Sequence, residues 1–546
     1  MAPAQPYPTS ANPPARPDGR HTAEFLRVKA LAEKGVASAQ HSLGFMYVNG
    51  QGVPQNAELA VAWYRMAATQ GLEQAQYNLG VMYQKGQGVG QDYLQALAWY
   101  QKAAEQGYAA AQYNLGWLYA KGQGVPVDVH QAMHWFSQAA SQGDPGAQNN
   151  LGMMYESGKG VPQDFRQAIA WYRKAAEQGY ARAQFNLGLR YDNGQGVQQD
   201  PQQALSWFRK AAEQGYAAAQ FNLALRYEQG NDVALDMAKA VGWYKKAAEQ
   251  GHASSQFNLG LIFDHGQGVE RDEAAAMSWF RKAADQGHAG AQDNLGLRHE
   301  YGQGVERNAA RAAHWYRKAA VQGFASAQYH LGQLIDSGHG GDGVETDRAQ
   351  AAAWYRKAAD QGHLRAQFDL GLCYESGAGV EQDLKAALGW YLRAAEQDYA
   401  AAQYKVGALF DLDDSGAADS QAYDWYLKAA ERGHALAQFA LGLRHDTGQG
   451  VPRDYAAAHA WYLAAARQGH ARAQFNLGLM YLSGQGVPAD ALWATLWLQR
   501  AMHAGVAGAE RFAGQAAARM NDFQRARYER ELQQQAAGAQ AAPHHA

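Results

Sequence analysis

Along residues 144–179 the apolar positions fall into two helical stripes separated by a short turn. Ala147, Leu151 and Tyr155 stand at i, i+4 and i+8, while Ala168, Trp171 and Ala175, with Ala176 beside them, form a second stripe. At 100° per residue each set lies on one face of an α-helix. The punctuation agrees with this reading. Asp144-Pro145 reads as an N-cap followed by proline at the first helical position, and Gly179 as a left-handed helix stop. The pattern predicts a first helix over 145–157 and a second over 165–178, joined by the turn Gly158-Lys159-Gly160-Val161. In later copies an aromatic (Phe185, Phe221, Phe257) sits almost opposite the first stripe, so the first helix is apolar on two sides and must be sandwiched.

The pattern recurs along nearly the whole chain. Thirteen of the 15 tryptophans (Trp63, Trp99, Trp135, Trp171, Trp207, Trp243, Trp279, Trp315, Trp354, Trp390, Trp425, Trp461 and Trp497) are spaced 36 apart, with one interval of 39 and one of 35. Twelve glycines recur within the first helix, at Gly44, Gly80, Gly116, Gly152 and onward. Each costs about 0.5–1 kcal/mol relative to alanine in a helix interior. A cost repeated that often predicts helices approaching where no Cβ fits. Two helices of this length cannot bury their apolar faces alone, so stacking of neighbours must stabilise them. The expected organisation is a Pro-rich disordered segment at 1–21, a half-repeat cap at 22–35, thirteen repeats at 36–505, capping helices at 506–536 and a disordered tail at 537–546.

The unit DPGAQNNLGMMYESGKGVPQDFRQAIAWYRKAAEQG at 144–179 resembles the Sel-one-like repeat family, a tetratricopeptide-like αα solenoid. Units two, three, four, five and thirteen meet the family pattern nearly in full. The resemblance implies an all-α, right-handed αα superhelical solenoid of thirteen 36-residue helix-turn-helix repeats, its concave wall lined by the first helices. It also implies a bacterial adaptor or scaffold for protein complexes. Departures cluster in turns: Asn231-Asp232-Val233 in unit six, Gly338-His339-Gly340-Gly341-Asp342-Gly343 in unit nine, Asp398 closing unit ten, and Asp411-Leu412-Asp413-Asp414-Ser415-Gly416 in unit eleven.

Composition narrows the function classes. With 48 Lys+Arg against 51 Asp+Glu the net charge is −3, which lacks the basic footprint of a nucleic-acid binder. No apolar run reaches the roughly 18 residues of a membrane span. The first 21 residues carry six prolines and no signal-type apolar core, so a cytoplasmic protein is expected unless a leader has been removed. The single cysteine, Cys373, excludes an intrachain disulfide and reads as a buried thiol.

Four side-chain rows are candidates for chemistry. An asparagine recurs within the first helix (Asn78, Asn114, Asn150, Asn186, Asn222, Asn258, Asn294, Asn476), beside Arg182, Arg365 and Arg472. It reads either as an inter-repeat hydrogen bond or as a ladder for the backbone of an extended peptide. Arg190, Arg226, Arg298 and Arg444 replace an otherwise apolar position from unit five onward. They read either as a strip for a carboxylate-bearing partner or as partners of the acidic row Glu156, Asp192, Glu228, Asp264, Glu300, Asp336, Glu375, Asp411 and Asp446. The lysines at 102, 174, 210, 246, 282, 318 and 357, with acids three residues later, read as ion pairs on an exposed second helix. The histidines that open units (His252, His288, His363, His434, His470) share a slot with Tyr108, Tyr180 and Phe324 and read as packing residues.

Metal and catalytic motifs are weak or missing. His130 and His134 have a zinc-compatible spacing without the expected glutamate, and the Asp411–Gly416 turn imitates half a calcium loop with Ala422 where its bidentate glutamate belongs. No Ser-His-Asp, Walker or dinucleotide pattern occurs. The sequence therefore points to a non-enzymatic scaffold without cofactor or metal, binding a protein or peptide, with an acidic segment as the expected partner. Arg190, Arg226, Arg298, Arg365, Arg444, Asn186, Asn222 and Asn294 are the partner-binding candidates, with the loop at His339–Gly343 at the edge. The alternative is an immunity or inhibitor protein that clasps a toxin or effector enzyme.

Overall fold

Asp164 shows how a second helix begins. Its carboxylate accepts hydrogen bonds from the backbone N–H groups of Arg166 (2.8 Å) and Gln167 (3.0 Å), two of the donors a helix start leaves unpaired. Asn56, Asp92, Asp128 and Asp200 cap their helices in the same way. Twelve of the thirteen first helices stop at a left-handed glycine, as at Gly158 (φ 68°), where the backbone turns without a Cβ penalty; the exception ends at Asp411. The second glycine of the turn answers a different demand. A Cβ on Gly88 (φ 67°) would lie 2.3 Å from the backbone of Ala57, at the start of the preceding second helix.

In the computed structural model, residues 23–338, 345–412 and 416–530 are described. Every regular element among them is α-helical. A cap helix at Ala23–Glu33 is followed by thirteen helix pairs, from Ala37–Asn49 with Ala57–Thr69 to Ala471–Ser483 with Ala491–His503, and then by Ala509–Ala518. A further helical stretch covers 522–530. The expected helices of the fourth repeat fall at Pro145–Ser157 and Phe165–Glu177. The chain is thus an all-α solenoid of helix-turn-helix repeats. It divides into two compact units, Met1–Trp279 and Phe280–Ala546. The segments expected to be disordered, 1–21 and 537–546, and the loop His339–Gly343 lie outside the described residues.

In most repeats a second-helix tyrosine or phenylalanine fills the space the first-helix glycine leaves, and in the thirteenth Leu498 fills that at Gly478. Tyr100, Tyr172, Tyr244, Tyr316, Tyr391 and Tyr462 are fully buried. The Tyr172 ring lies where a Cβ on Gly152 would be, at 2.5 Å. Neighbouring repeats interlock through the opposite face: Phe185 meets Phe208 of its own repeat at 5.6 Å and Tyr216 at the next repeat's opening at 5.4 Å. The first helix is sandwiched, as its two apolar sides require. The second-helix stripe differs from expectation in one residue. Ala168, Ala175 and Ala176 are buried, but Trp171 is only half-buried, and Tyr172 takes the central place.

The turn of the sixth repeat keeps Gly230 at φ 70° but does without its second glycine. Asp232 holds the second-glycine position at φ 61°, and its carboxylate pairs with Arg226. A left-handed non-glycine residue is strained, and here a buried cation holds it.

Candidate functional site

The arginine row is interior. Arg190, Arg226, Arg298 and Arg444 are between 3% and 8% exposed. Arg190 pairs with Glu156 of the preceding repeat at 3.1 Å and donates to Gln195 at 2.6 Å. Arg226 pairs with Asp192 and Asp232, and Arg444 with Asp411 and with Asp419, the latter at 3.5 Å. Arg298 donates from Nε to Asn294 (2.9 Å) and lies over Phe280 at 5.1 Å. The expectation that these four read a carboxylate-bearing partner is corrected accordingly: all four are buried, and Arg190, Arg226 and Arg444 face the chain's own acids. The acidic row in turn accepts from second-helix tyrosines, as Tyr172 to Glu156 (2.5 Å), Tyr316 to Glu300 (2.6 Å) and Tyr426 to Asp411 (2.6 Å). Carboxylates near helix C-termini, where the dipole disfavours them, are compensated by these donors.

Arg365 differs, being exposed on the first helix of the tenth repeat, with its charge acting on Tyr329, His363 and Asp369. Asn186, Asn222 and Asn294 are half-buried. The asparagine row forms inter-repeat bonds where the preceding residue of the neighbouring first helix is polar: Asn78 meets His41 (2.9 Å) and Asn186 donates to Asn149 (2.9 Å). The same register carries His330 with Asp293 (2.8 Å) and Tyr329 donating to Asp369 (2.9 Å). Elsewhere that neighbour is aromatic. There Asn258 donates to the Tyr244 hydroxyl at 3.0 Å and Asn222 to the Ala218 carbonyl at 3.1 Å. The candidates divide between the two units: Arg190, Arg226, Asn186 and Asn222 in the first, and Arg298, Arg365, Arg444 and Asn294 in the second.

Two rows differ from the sequence reading. The lysines cover indoles: Lys174 lies 4.2 Å over Trp171, Lys210 4.1 Å over Trp207 and Lys357 3.9 Å over Trp354. Their ammonium groups thus meet the half-buried tryptophan face in place of the acids three residues on. The missed row is glutamine. Gln148 donates to the carbonyl of Ala140 at the end of the preceding second helix (3.2 Å), and its own carbonyl accepts from Gln178 (2.8 Å). Gln76 with Gln106, Gln112 with Gln142, Gln184 with Gln214 and Gln292 with Gln322 repeat the arrangement. These glutamines recur with the tryptophan period, which is the signal that could have found them. Among the described residues the chain of amides is interrupted in repeat eleven, where Arg432 replaces the outer glutamine and pairs with Asp398, itself at φ 65°, and it ends at repeat thirteen, where Ala504 holds that position. Gln403 is then left with a buried, unpartnered carbonyl oxygen.

The histidines that open repeats do more than pack. The Nδ1 atoms of His288, His363, His434 and His470 accept from the backbone N–H three residues on, at 3.1–3.3 Å. Burial lowers the pKa of all four below the ordinary 6.5. Their rings stack on aromatics, as His363 on Tyr329 at 4.7 Å and His470 on Phe439 at 4.5 Å.

A cavity of about 720 Å³ opens in the second unit, between the first helices Ala289–Tyr301, Ala325–Ser337 and Leu364–Ser376 and the second helix Arg348–Asp360. Its wall holds Glu300, Asp336, Asp369, Tyr355, Leu372 and Cys373. Burial pushes the Cys373 thiol up to about 11 and raises Asp369 above the usual carboxylate range, opposed by the Tyr329 hydroxyl that donates to it. A thiol held so protonated is a poor nucleophile. Among the described residues no group of three His, Cys, Asp or Glu side chains could hold a metal ion, and no helix is long and apolar enough to cross a membrane.

No curated protein matches the chain. Among solved structures, a protective antigen of uropathogenic Escherichia coli displaying an SLR fold is 32% identical, covers 93% of this chain and 97% of its own, and superposes with a TM-score of 0.58. A Sel1 repeat protein from Oxalobacter formigenes is 34% identical over 45% of this chain and 96% of its own, at 0.42. An immunity protein from Pseudomonas aeruginosa is 24% identical over 43% of this chain and 83% of its own, at 0.27. The Sel1 repeat model matches thirteen segments that run without a gap from residue 37 to residue 506. With every helix pair from Ala37 to His503 inside one of those matches, the chain belongs to the Sel1 repeat family.

Proposed function

We propose that the chain is a non-catalytic scaffold that binds a protein along the outer stripe of its first helices. Sel1 repeat proteins mediate protein–protein interaction. The observation that carries the reading here is that, within each unit, half-exposed apolar side chains recur at one register of the first helices. Leu189 and Leu225 carry it in the first unit, and Leu297, Leu372 and Leu443 in the second. The glutamine, arginine and tyrosine rows are consumed inside the stack, whereas this row is left half in water. A partner that covered it would bury apolar surface worth about 25 cal/mol per Å². Asn186 and Asn222 in one unit, and Asn294 and Arg365 in the other, flank the row as polar contacts.

A photo-crosslinking residue placed in turn at Leu189, Leu225, Leu297 and Leu372 tests this. Within each unit the same protein should be captured from its positions on the row, and not from a crosslinker at Lys210, on the second helix. Capture from Lys210 alone, or none from the stripe, overturns the reading. An effector enzyme captured there and silenced by binding would favour the immunity reading instead.

A further inference from the structure

We propose that the cavity walled by Asp336, Tyr355 and Cys373 receives an arginine side chain from a partner protein; the proposal rests on the scaffold reading and names what one of its contacts recognises. The chain itself supplies the template. At three seams the acid near the end of a first helix takes a guanidinium from the next repeat: Glu156 from Arg190, Asp192 from Arg226 and Asp411 from Arg444. At two of them the same guanidinium lies over the aromatic ring of the intervening second helix, Arg226 over Phe208 at 5.2 Å and Arg444 over Tyr426 at 5.5 Å. Asp336 and Tyr355 are the acid and the ring of the ninth repeat, and Cys373 stands where the arginine would come from. A thiol reaches far less than a guanidinium, and the cavity lies between the three.

The surroundings strengthen the fit. One repeat earlier Leu334 occupies the arginine register, so Glu300 lacks that partner too and lines the same cavity. Glu300, Asp336 and Asp369 set three carboxylates against Arg307 and Arg348. Both arginines are exposed: Arg307 donates to the Glu300 backbone carbonyl at 3.1 Å, and Arg348 reaches Asp336 only at 4.0 Å, so neither fills the space. Leu372 belongs both to this wall and to the half-exposed apolar row, so a protein lying along the row passes the cavity. Arginine suits the site better than lysine, because its planar fork can engage a carboxylate while stacking on a ring.

The probe is a fluorescent, blocked peptide with a single arginine among alanines and glycines, read by anisotropy against the full chain. It should bind roughly tenfold more tightly than its citrulline counterpart, which keeps the shape without the charge. Asp336→Asn should abolish the difference. Cys373→Arg should fill the cavity from within, raise the melting temperature and remove peptide binding. Equal binding of the citrulline peptide, no binding at about 1 mM, or full binding by Cys373→Arg would each overturn the proposal. Crosslinking at Leu189 and Leu225, in the other unit, tests the scaffold reading separately: capture there without arginine binding sinks the cavity alone.

Discussion

Gly152 and Gly158 stand six residues apart and are glycine for unrelated reasons. Gly152 faces the buried Tyr172 ring, which has nowhere to move, whereas Gly158 needs only its left-handed φ of 68° and keeps its neighbours at 3.4 Å or beyond. Gly152→Leu should therefore cost about 3 kcal/mol or more by overpacking, and Gly158→Ala only about 1–2 kcal/mol of backbone strain. Equal denaturant midpoints for the two variants would contradict the contact. Arg226 carries a second prediction. Methionine stands at its register in repeats one, two and four, yet Arg226→Met should destabilise by about 2 kcal/mol, because Asp192 and Asp232 would lose their cation. Those carboxylates keep about 30% of their exposure, which holds the figure below that of a fully buried pair. Arg226→Glu with Arg298→Glu should melt markedly earlier than the parent chain. A double variant with an unchanged melting temperature would return these side chains to the surface.

The first helices of the eighth, tenth, twelfth and thirteenth repeats begin on a histidine whose ring nitrogen must be unprotonated to cap them. Burial depresses the folded pKa of His288, His363, His434 and His470, so as pH falls the unfolded chain takes up protons first. The stability these groups contribute is complete well above pH 6.5 and is lost as pH falls through 6.5 toward the folded pKa. A positive charge at a helix N-terminus is unfavourable as well. The melting temperature should thus drop between pH 8 and pH 5.5, and replacing all four by tyrosine, the residue at this slot in repeats three, five and six, should flatten the slope. An unaltered slope would assign the pH dependence to other groups. At this scale the sequence was easy to read where periodicity meets punctuation: the helix bounds of repeat four follow from Asp144, Pro145 and the two turn glycines. Orientation within a stripe was harder. Trp171 and Tyr172 are adjacent and both large, and only the position of the neighbouring helices decides that the tyrosine enters the core while the tryptophan lies under Lys174. The glutamines escaped for the opposite reason, since a polar residue on a helical wheel looks solvated until the carbonyl it satisfies is known. The arginines could be listed from the sequence, but both of their readings used the same residues, and burial alone separates them.

Over the whole molecule, contacts run between neighbours in sequence, so the ends and the weakest joint govern behaviour. Ala509–Ala518 packs Ala513 and Ala516 on Ala494 and Leu498. Deleting residues 509–546 should bare that surface and drive concentration-dependent association, visible by light scattering; a strictly monodisperse truncated chain would refute the capping role. We take as the softest joint the one in the second unit where repeat eleven meets repeat ten, because Arg432 leaves the Gln403 carbonyl there without its amide donor. Asp398→Gly with Arg432→Gln should relieve the left-handed strain, return a donor to Gln403 and stabilise the chain by about 1–3 kcal/mol, measured as a shift in urea midpoint. The interruption also has a mechanical meaning. Pulled from its two ends, a row of like springs yields at its softest link, and here that link is a single amide without its mate. The second unit should open there first under load, releasing its last three repeats while repeats eight to ten stay wound, and the repaired double variant should lose that early rip in an optical trap.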